Sequence, residues 1–156
     1  MAISQAMTNS FKVDILSGGH NFNTTNRALT TNTQDTFKIA MYTSSADLGA
    51  GTTAYSATNE ITNTAGNAYT AGGATLSISQ VPTSGGSPST TAYINFSNVS
   101  WNTASFTANG ALIYNSSNSN KSVAVLAFGS DKTVSSGTFT IQFPTAGTGS
   151  SIIQIA

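Results

Sequence analysis

Five carboxylates, one imidazole and no thiol make up the reactive inventory of this chain: Asp14, Asp35, Asp47, Glu60 and Asp131, with His20. Acid–base catalysis needs two such groups held within proton-transfer reach of a substrate. None of the five carboxylates sits in a motif that fixes a pair, so they are expected as solvated strand or loop side chains. His20 follows Gly18-Gly19 and has the chemistry of a base or a metal ligand. Without a second histidine or any cysteine it cannot complete a zinc or copper site within one chain, and a loop histidine bonded to backbone is expected. A serine nucleophile would need a Gly-x-Ser-x-Gly elbow, which does not occur, and would leave His20 to supply every base role. Asp47 lacks the Asp-rich loop that holds calcium. Ala71-Gly72-Gly73 and Ser84-Gly85-Gly86-Ser87 lack the lysine and the strand-to-helix context of a phosphate loop and are read as turns. The inventory therefore predicts no enzyme, no cofactor and no metal.

Charged residues form 6% of the 156 positions, five of each sign, for a net charge of zero. An average soluble domain carries roughly a quarter, so Ser, Thr and Asn must hydrate this surface instead. A neutral chain lacks the field that nucleic acid or an anionic membrane surface requires, and neither is expected as a partner. It also gives little repulsion between copies, which suits an ordered assembly. No cysteine is present, so stability rests on packing. Met1 to Ser10 lacks a basic stretch followed by an apolar one, and no window approaches the roughly 18 apolar residues of a membrane span. Synthesis in the cytoplasm is expected, with release by host lysis left open.

The elements that must position these residues follow from a period of two, the spacing that sends successive side chains to opposite faces of a strand. Phe11, Val13 and Ile15 alternate with Lys12 and Asp14; Phe37, Ile39 and Met41 alternate with Lys38 and Ala40. Leu76 and Ile78 share a face of the segment Ala74 to Val81, closed by Pro82. Ala92, Ile94 and Phe96 oppose Tyr93 and Asn95, and the run continues through Val99 toward Trp101. A short strand from Ala104 to Ala108 precedes Asn109-Gly110, which suits a tight turn. Ala111 to Tyr114 is apolar almost throughout, implying burial on both faces, and Ser116 to Asn120 is a polar loop. Val123, Val125 and Ala127 alternate with Ala124, Leu126 and Phe128, a strand ended by Gly129. Phe139, Ile141 and Phe143 alternate with polar residues up to Pro144, and Ser151 to Ala156 carries a final strand. No window shows a convincing helical stripe. The prediction is a single all-β domain over residues 1–156, a jelly roll or related antiparallel β-sandwich of about eight or nine strands.

Ser44 to Gly73 is too long for a hairpin loop and is expected to hold a short strand from Glu60 to Asn63 and to pack on a partner. It contains Ala54-Tyr55-Ser56-Ala57 and Ala68-Tyr69-Thr70-Ala71, similar tetrads fourteen residues apart, read as coincidence because repeat architectures need at least three copies.

The stretches Phe37-Lys38-Ile39-Ala40-Met41-Tyr42-Thr43, Thr53-Ala54-Tyr55-Ser56-Ala57-Thr58-Asn59-Glu60, Tyr69-Thr70-Ala71-Gly72-Gly73-Ala74-Thr75-Leu76 and Gly110-Ala111-Leu112-Ile113-Tyr114-Asn115 resemble those of small structural proteins of tailed bacteriophages, above all head decoration (cement) proteins. The likeness runs from about Phe11 to the C-terminus. It implies a dimer or trimer on the capsid surface of the virion, bridging subunits of the major capsid protein against the pressure of packaged DNA. On this reading residues 1–10 form an N-terminal arm and residues 44–73 an interface loop. The expected protein-interface residues are Phe11, Arg27, Tyr55, Glu60 and Tyr69, with both tyrosines as aromatic anchors. A tail or fibre adhesin module is the alternative, with Tyr42, Tyr93 or Trp101 exposed to stack on sugar rings, although Trp101 suits the core better.

Overall fold

Most of the period-two stretches become strands in the computed structural model, which describes residues 2–23, 33–62, 68–85 and 90–156. In chain order these are β1 (Ala6–Met7), α1 (Asn9–Leu16), β2 (Phe37–Tyr42), β3 (Ala74–Leu76), β4 (Ile78–Ser84), β5 (Ala92–Phe96), β6 (Val99–Asn115), β7 (Lys121–Ile141) and β8 (Ile153–Ile155). They form an all-β antiparallel sandwich, with one sheet in the order β1-β7-β6-β2-β3 and the other in the order β4-β5-β8.

The larger sheet is buried on both faces. Phe37, Ile39, Met41, Ala111 and Ile113 face the smaller sheet, where Ile94, Phe96 and Ile153 meet them. Ala40, Tyr42, Leu112, Tyr114 and Val125 point the other way and are covered by Ala46, Ile3, Leu48 and Tyr55. Burial on both faces is what an unbroken apolar run such as Ala111 to Tyr114 requires. Each fully buried Leu or Ile contributes roughly 1.5–3 kcal/mol. The cover is an ordered part of this same chain: Tyr55 N–H donates to Asn120 O at 2.9 Å, Ser122 N–H to Thr53 O at 3.0 Å, and Ile61 N–H to Met41 O at 2.9 Å. The expected short strand reduces to a single bridge from Glu60 to Tyr42, with Ile61 and Thr62 in no strand and Asn63 outside the described residues.

Phe11 to Ile15 is helix rather than strand. Thr8 caps it by accepting a hydrogen bond from Phe11 N–H at 3.3 Å, and Gly18 ends it with φ of 73°. Phe11 and Ile15, four apart, share one helical face, so the spacing read as alternation fits both periods. Val13, the residue between them, is 66% exposed.

Asn109-Gly110 is no turn either, because β6 runs through it with Gly110 opposite Ala127. A Cβ at Gly110 would lie 2.7 Å from Ile3 Cγ2 and 2.6 Å from Leu126 O, so glycine here admits a close backbone approach. The hairpin turns instead at the polar loop after Asn115, where Ser119 and Asn120 take φ of 51° and 55°. Gly129 bends β7 without ending it. Pro82 lies inside β4, on the edge of its sheet, where a missing N–H breaks no ladder. The segment Ala74 to Val81 divides after Leu76 between the two sheets. A register shift beside Tyr114 leaves Val123 as the extra residue, which puts it in the same core as Ala124 rather than opposite it. Residues 2–10 lie along the sheet, with Ala6 opposite Val125 and Ile3 bridged to Leu48, so they are no projecting arm.

Candidate functional site

The polar groups singled out in the sequence collect at two places. At the first, the Glu60 carboxylate, 6% exposed, accepts hydrogen bonds from the hydroxyl of Tyr55 on Oε2 and of Tyr69 on Oε1, both at 2.6 Å, and from Gly72 N–H at 2.7 Å. Tyr69 Oη in turn accepts Met41 N–H at 2.9 Å. Tyr114 donates to Gly72 O at 2.8 Å and Tyr42 to Ser56 O at 2.7 Å, while the Tyr55 ring stacks on Tyr114 with centroids 4.7 Å apart. Burial first, and then the nearby Glu60 charge, push the phenols of Tyr42 and Tyr114 above the ordinary range, and burial and then its bond to Glu60 do the same for Tyr69. Tyr55 moves the same way, by burial and by its bond to Glu60. Neutral phenols are fixed donors, and both carboxylate oxygens are occupied. The arrangement clamps the segment over the outer sheet face, with both Glu60 oxygens engaged by groups of this chain.

The residues expected at an interface fall in different places. Phe11 and Tyr69 are 0% and 1% exposed and belong to the interior, as does Glu60. Tyr55 is only partly covered, with its ring on Tyr114. Arg27 lies outside the described residues. The two tetrads are also more than coincidence in effect, because their tyrosines converge on the two oxygens of one carboxylate.

At the second place His20, 9% exposed, sits with its ring 4.9 Å from Phe11, 6.2 Å from Phe22 and 6.3 Å from Phe37. Asn115 Nδ2 donates to Asp35 Oδ2 at 2.7 Å and lies 3.0 Å from His20 Nδ1. An amide nitrogen only donates, so Nδ1 is the acceptor and the imidazole proton is on Nε2. That atom is buried, finds no hydrogen-bond partner and faces Asp14 Oδ2 at 3.7 Å. Asp14 Oδ1 is held by Lys121 Nζ at 2.6 Å. Burial lowers the His20 pKa; Asp14 and Asp35 oppose the shift and Lys121 reinforces it. His20 thus lies on a loop as expected, but it is buried and bonded to a side chain rather than to backbone. Asp14 and Glu60 are structural rather than solvated, whereas Asp47 and Asp131 are exposed. No group of three metal-ligating side chains occurs among the described residues.

A third feature was not anticipated. The outward side of the β6–β7 ribbon carries a polar ladder, stepped by register shifts on either side of Ala104. Ser100 bonds Thr140 at 2.7 Å, Thr138 bonds Asn102 at 3.1 Å, Thr107 bonds Thr133 at 2.8 Å and Asn109 bonds Asp131 at 2.8 Å. Ser136 N–H adds a bond to Ser105 Oγ at 2.8 Å. The opposite side of β6 buries Trp101, Ala104, Phe106 and Ala108. Trp101 and Tyr42, both interior, cannot stack on a sugar. The alternation of Ser100, Asn102, Ser105 and Thr107 with apolar residues was the available signal for the ladder.

Comparison with protein-family models finds no match, and comparisons with curated proteins and with solved structures find none either. Among the described residues no helix is long and apolar enough to cross a membrane.

Proposed function

We propose that this chain is a non-enzymatic docking module, a decoration protein that binds the outer surface of a bacteriophage head and bridges subunits of the major capsid protein. The polar ladder on β6 and β7 carries the reading. It runs along β6 from Ser100 to Asn109, across register shifts on either side of Ala104. Its hydroxyls and amides are already held in place by each other, so docking costs little side-chain entropy. Apart from Asp131 its groups are neutral, so most hydrogen bonds to a partner avoid the desolvation cost of buried charge. The resemblance to phage head proteins supplies the partner.

The mechanism is physical. Whatever binds the assembled lattice and not its separated subunits stabilises the lattice by mass action. Symmetry repeats that gain at every equivalent position, and self-association as a dimer or trimer would let one copy bridge several subunits. The pairs Thr107 with Thr133 and Asn109 with Asp131 are the first contacts to test.

The experiment mixes the purified chain with heads that lack it. Saturable cosedimentation at a fixed ratio to the capsid protein, with a raised rupture temperature, is expected. The double variant Thr107→Lys with Thr133→Lys, whose fold is checked by circular dichroism, should lose binding. Absence of cosedimentation, with retention on polysaccharide or on tails instead, overturns the reading in favour of an adhesin.

A further inference from the structure

We propose that His20 and Asn115 form a proton-operated latch, which holds the turn from Ser116 to Asn120 closed while the imidazole is neutral and releases it, with both sheets intact, when the ring takes up a second proton. Asn115 is the last residue of β6, and its side chain is buried with both polar ends in use. Its Oδ1 accepts the N–H of Ser117 at 3.0 Å and of Asn118 at 3.2 Å, while its Nδ2 donates to Asp35 Oδ2 at 2.7 Å and lies 3.0 Å from His20 Nδ1. Two backbone donors thus fix which end of the amide faces the ring. The turn they shape is tied to the segments on either side of His20 and Asp35. Asn118 Nδ2 donates to Gly19 O at 2.6 Å, Thr36 N–H to Ser117 Oγ at 2.8 Å and Ser116 N–H to Thr36 O at 2.9 Å.

A proton on Nδ1 breaks this arrangement, because two donors then meet at 3.0 Å. Turning the ring over gives no relief, since both nitrogens of the imidazolium carry hydrogen. Turning the amide over presents Oδ1 to His20 but sets Nδ2 against the N–H groups of Ser117 and Asn118 and takes the donor from Asp35. Movement of the turn is the remaining way out. Three charged groups face the ring: Asp14 on α1, with Oδ2 3.7 Å from Nε2; Asp35 before β2, beside the Asn115 amide; and Lys121 at the start of β7, 2.6 Å from the other Asp14 oxygen. The other neighbours are the rings of Phe11, Phe22 and Phe37. In the closed form burial disfavours the charged ring, against the pull of the two carboxylates. Opening admits water, lifts that penalty and gives the buried, unpartnered Nε2 an acceptor, so the open form binds the proton more tightly and gains population as pH falls. The release reaches the cover of the outer sheet face, because Asn120 O accepts Tyr55 N–H at 2.9 Å.

The test follows the whole chain by NMR from about pH 7.5 to about pH 4, a range that spans the histidine titration. The ring nitrogens of His20 report the proton, and the side-chain amide of Asn115 and the backbone amides of Ser117 and Asn118 report the turn. Expected is one step in which all of them move together, with the two backbone amides losing about tenfold or more of their protection from hydrogen exchange, while the signals of Ile39 and Ile113 in the central sheet stay in place. His20→Gln, whose fold is checked by circular dichroism, should abolish the step. Asp14→Asn removes a charge that favours the imidazolium and should carry the ring titration and the turn response to lower pH together. A ring that titrates while the turn stays closed, a ring that stays neutral to the end of the range, or a step that survives in His20→Gln would each overturn the latch. Loss of the Ile39 and Ile113 signals in the same step would overturn it too, by showing that the proton acts only through global unfolding.

Discussion

Tyr55 and Tyr69, fourteen positions apart, donate to opposite oxygens of the Glu60 carboxylate, each at 2.6 Å. One tyrosine stacks on the outer face of the large sheet and the other sits in the core between the sheets. The carboxylate therefore ties the covering segment to both layers, and its loss would leave the buried Tyr69 hydroxyl and the Gly72 N–H without their acceptor.

Glu60→Ala is accordingly expected to destabilise the chain by about 3 kcal/mol, the scale of losing charge-assisted bonds and stranding buried donors. Glu60→Gln keeps one acceptor for Tyr69 and Gly72 and turns the other toward Tyr55 as a donor, which that hydroxyl can accept. It should cost less than half as much. Urea unfolding of the two variants beside the wild type checks the order, and equal losses would rule out the clamp.

Gly73 takes φ of +70°, and a Cβ there would lie 1.8 Å from Ile39 O, against backbone that cannot swing aside. Gly73→Ala is expected to cost more than about 3 kcal/mol, or to prevent folding, through combined strain and overpacking. Gly129→Ala is the control, since that glycine also has positive φ but nothing within 4 Å of an added Cβ. It should cost about 1–2 kcal/mol, for strain alone. Comparable thermal midpoints for the two would show that β2 and the turn before β3 do not approach as described.

The pH dependence follows from His20. Its pKa is lowered by burial from the ordinary 6.5, so between 6.5 and the folded value the unfolded chain holds the proton and the folded chain does not. Stability is then full above pH 6.5 and falls as pH drops, with a slope of at most about 1.4 kcal/mol per pH unit. His20→Gln retains an acceptor for Asn115 and should flatten the curve between pH 7.5 and 5.5. Denaturant midpoints across that range measure it, and an unchanged slope would assign the dependence to other groups.

The strands were legible where one face is apolar and the window is long, as in Phe37 to Tyr42 and Ala92 to Phe96. Burial on both faces was legible in Ala111 to Tyr114. What covers the second face was not, because Ser44 to Gly73 has no periodicity and reaches the sheet through single contacts such as Tyr55 on Tyr114. The same limit hid the role of Asn109-Gly110: a glycine that turns a chain and one that admits Ile3 look alike in sequence. Of the expected interface set, Glu60, Tyr55 and Tyr69 do form one cluster, but they contact each other. Aromatic and acidic residues in a polar loop carry the same signature whether they face a partner or the chain's own sheet.

The helix α1 was the one element assigned the wrong period, and its cap makes the assignment testable. Thr8 Oγ1 accepts the Phe11 N–H at 3.3 Å, and the Thr8 side chain is fully buried against the start of β7, within 3.4 Å of the Ser122 and Val123 carbonyls. Thr8→Val keeps the shape and removes the acceptor, and should cost about 1–2 kcal/mol. A strand at Phe11 to Ile15 would need no cap from Thr8, so unchanged stability would speak against the helix. Hydrogen exchange adds the local view: the amide of Phe11 should lose protection in Thr8→Val, while the amide of Ile113 in the central sheet changes only by the global loss of stability.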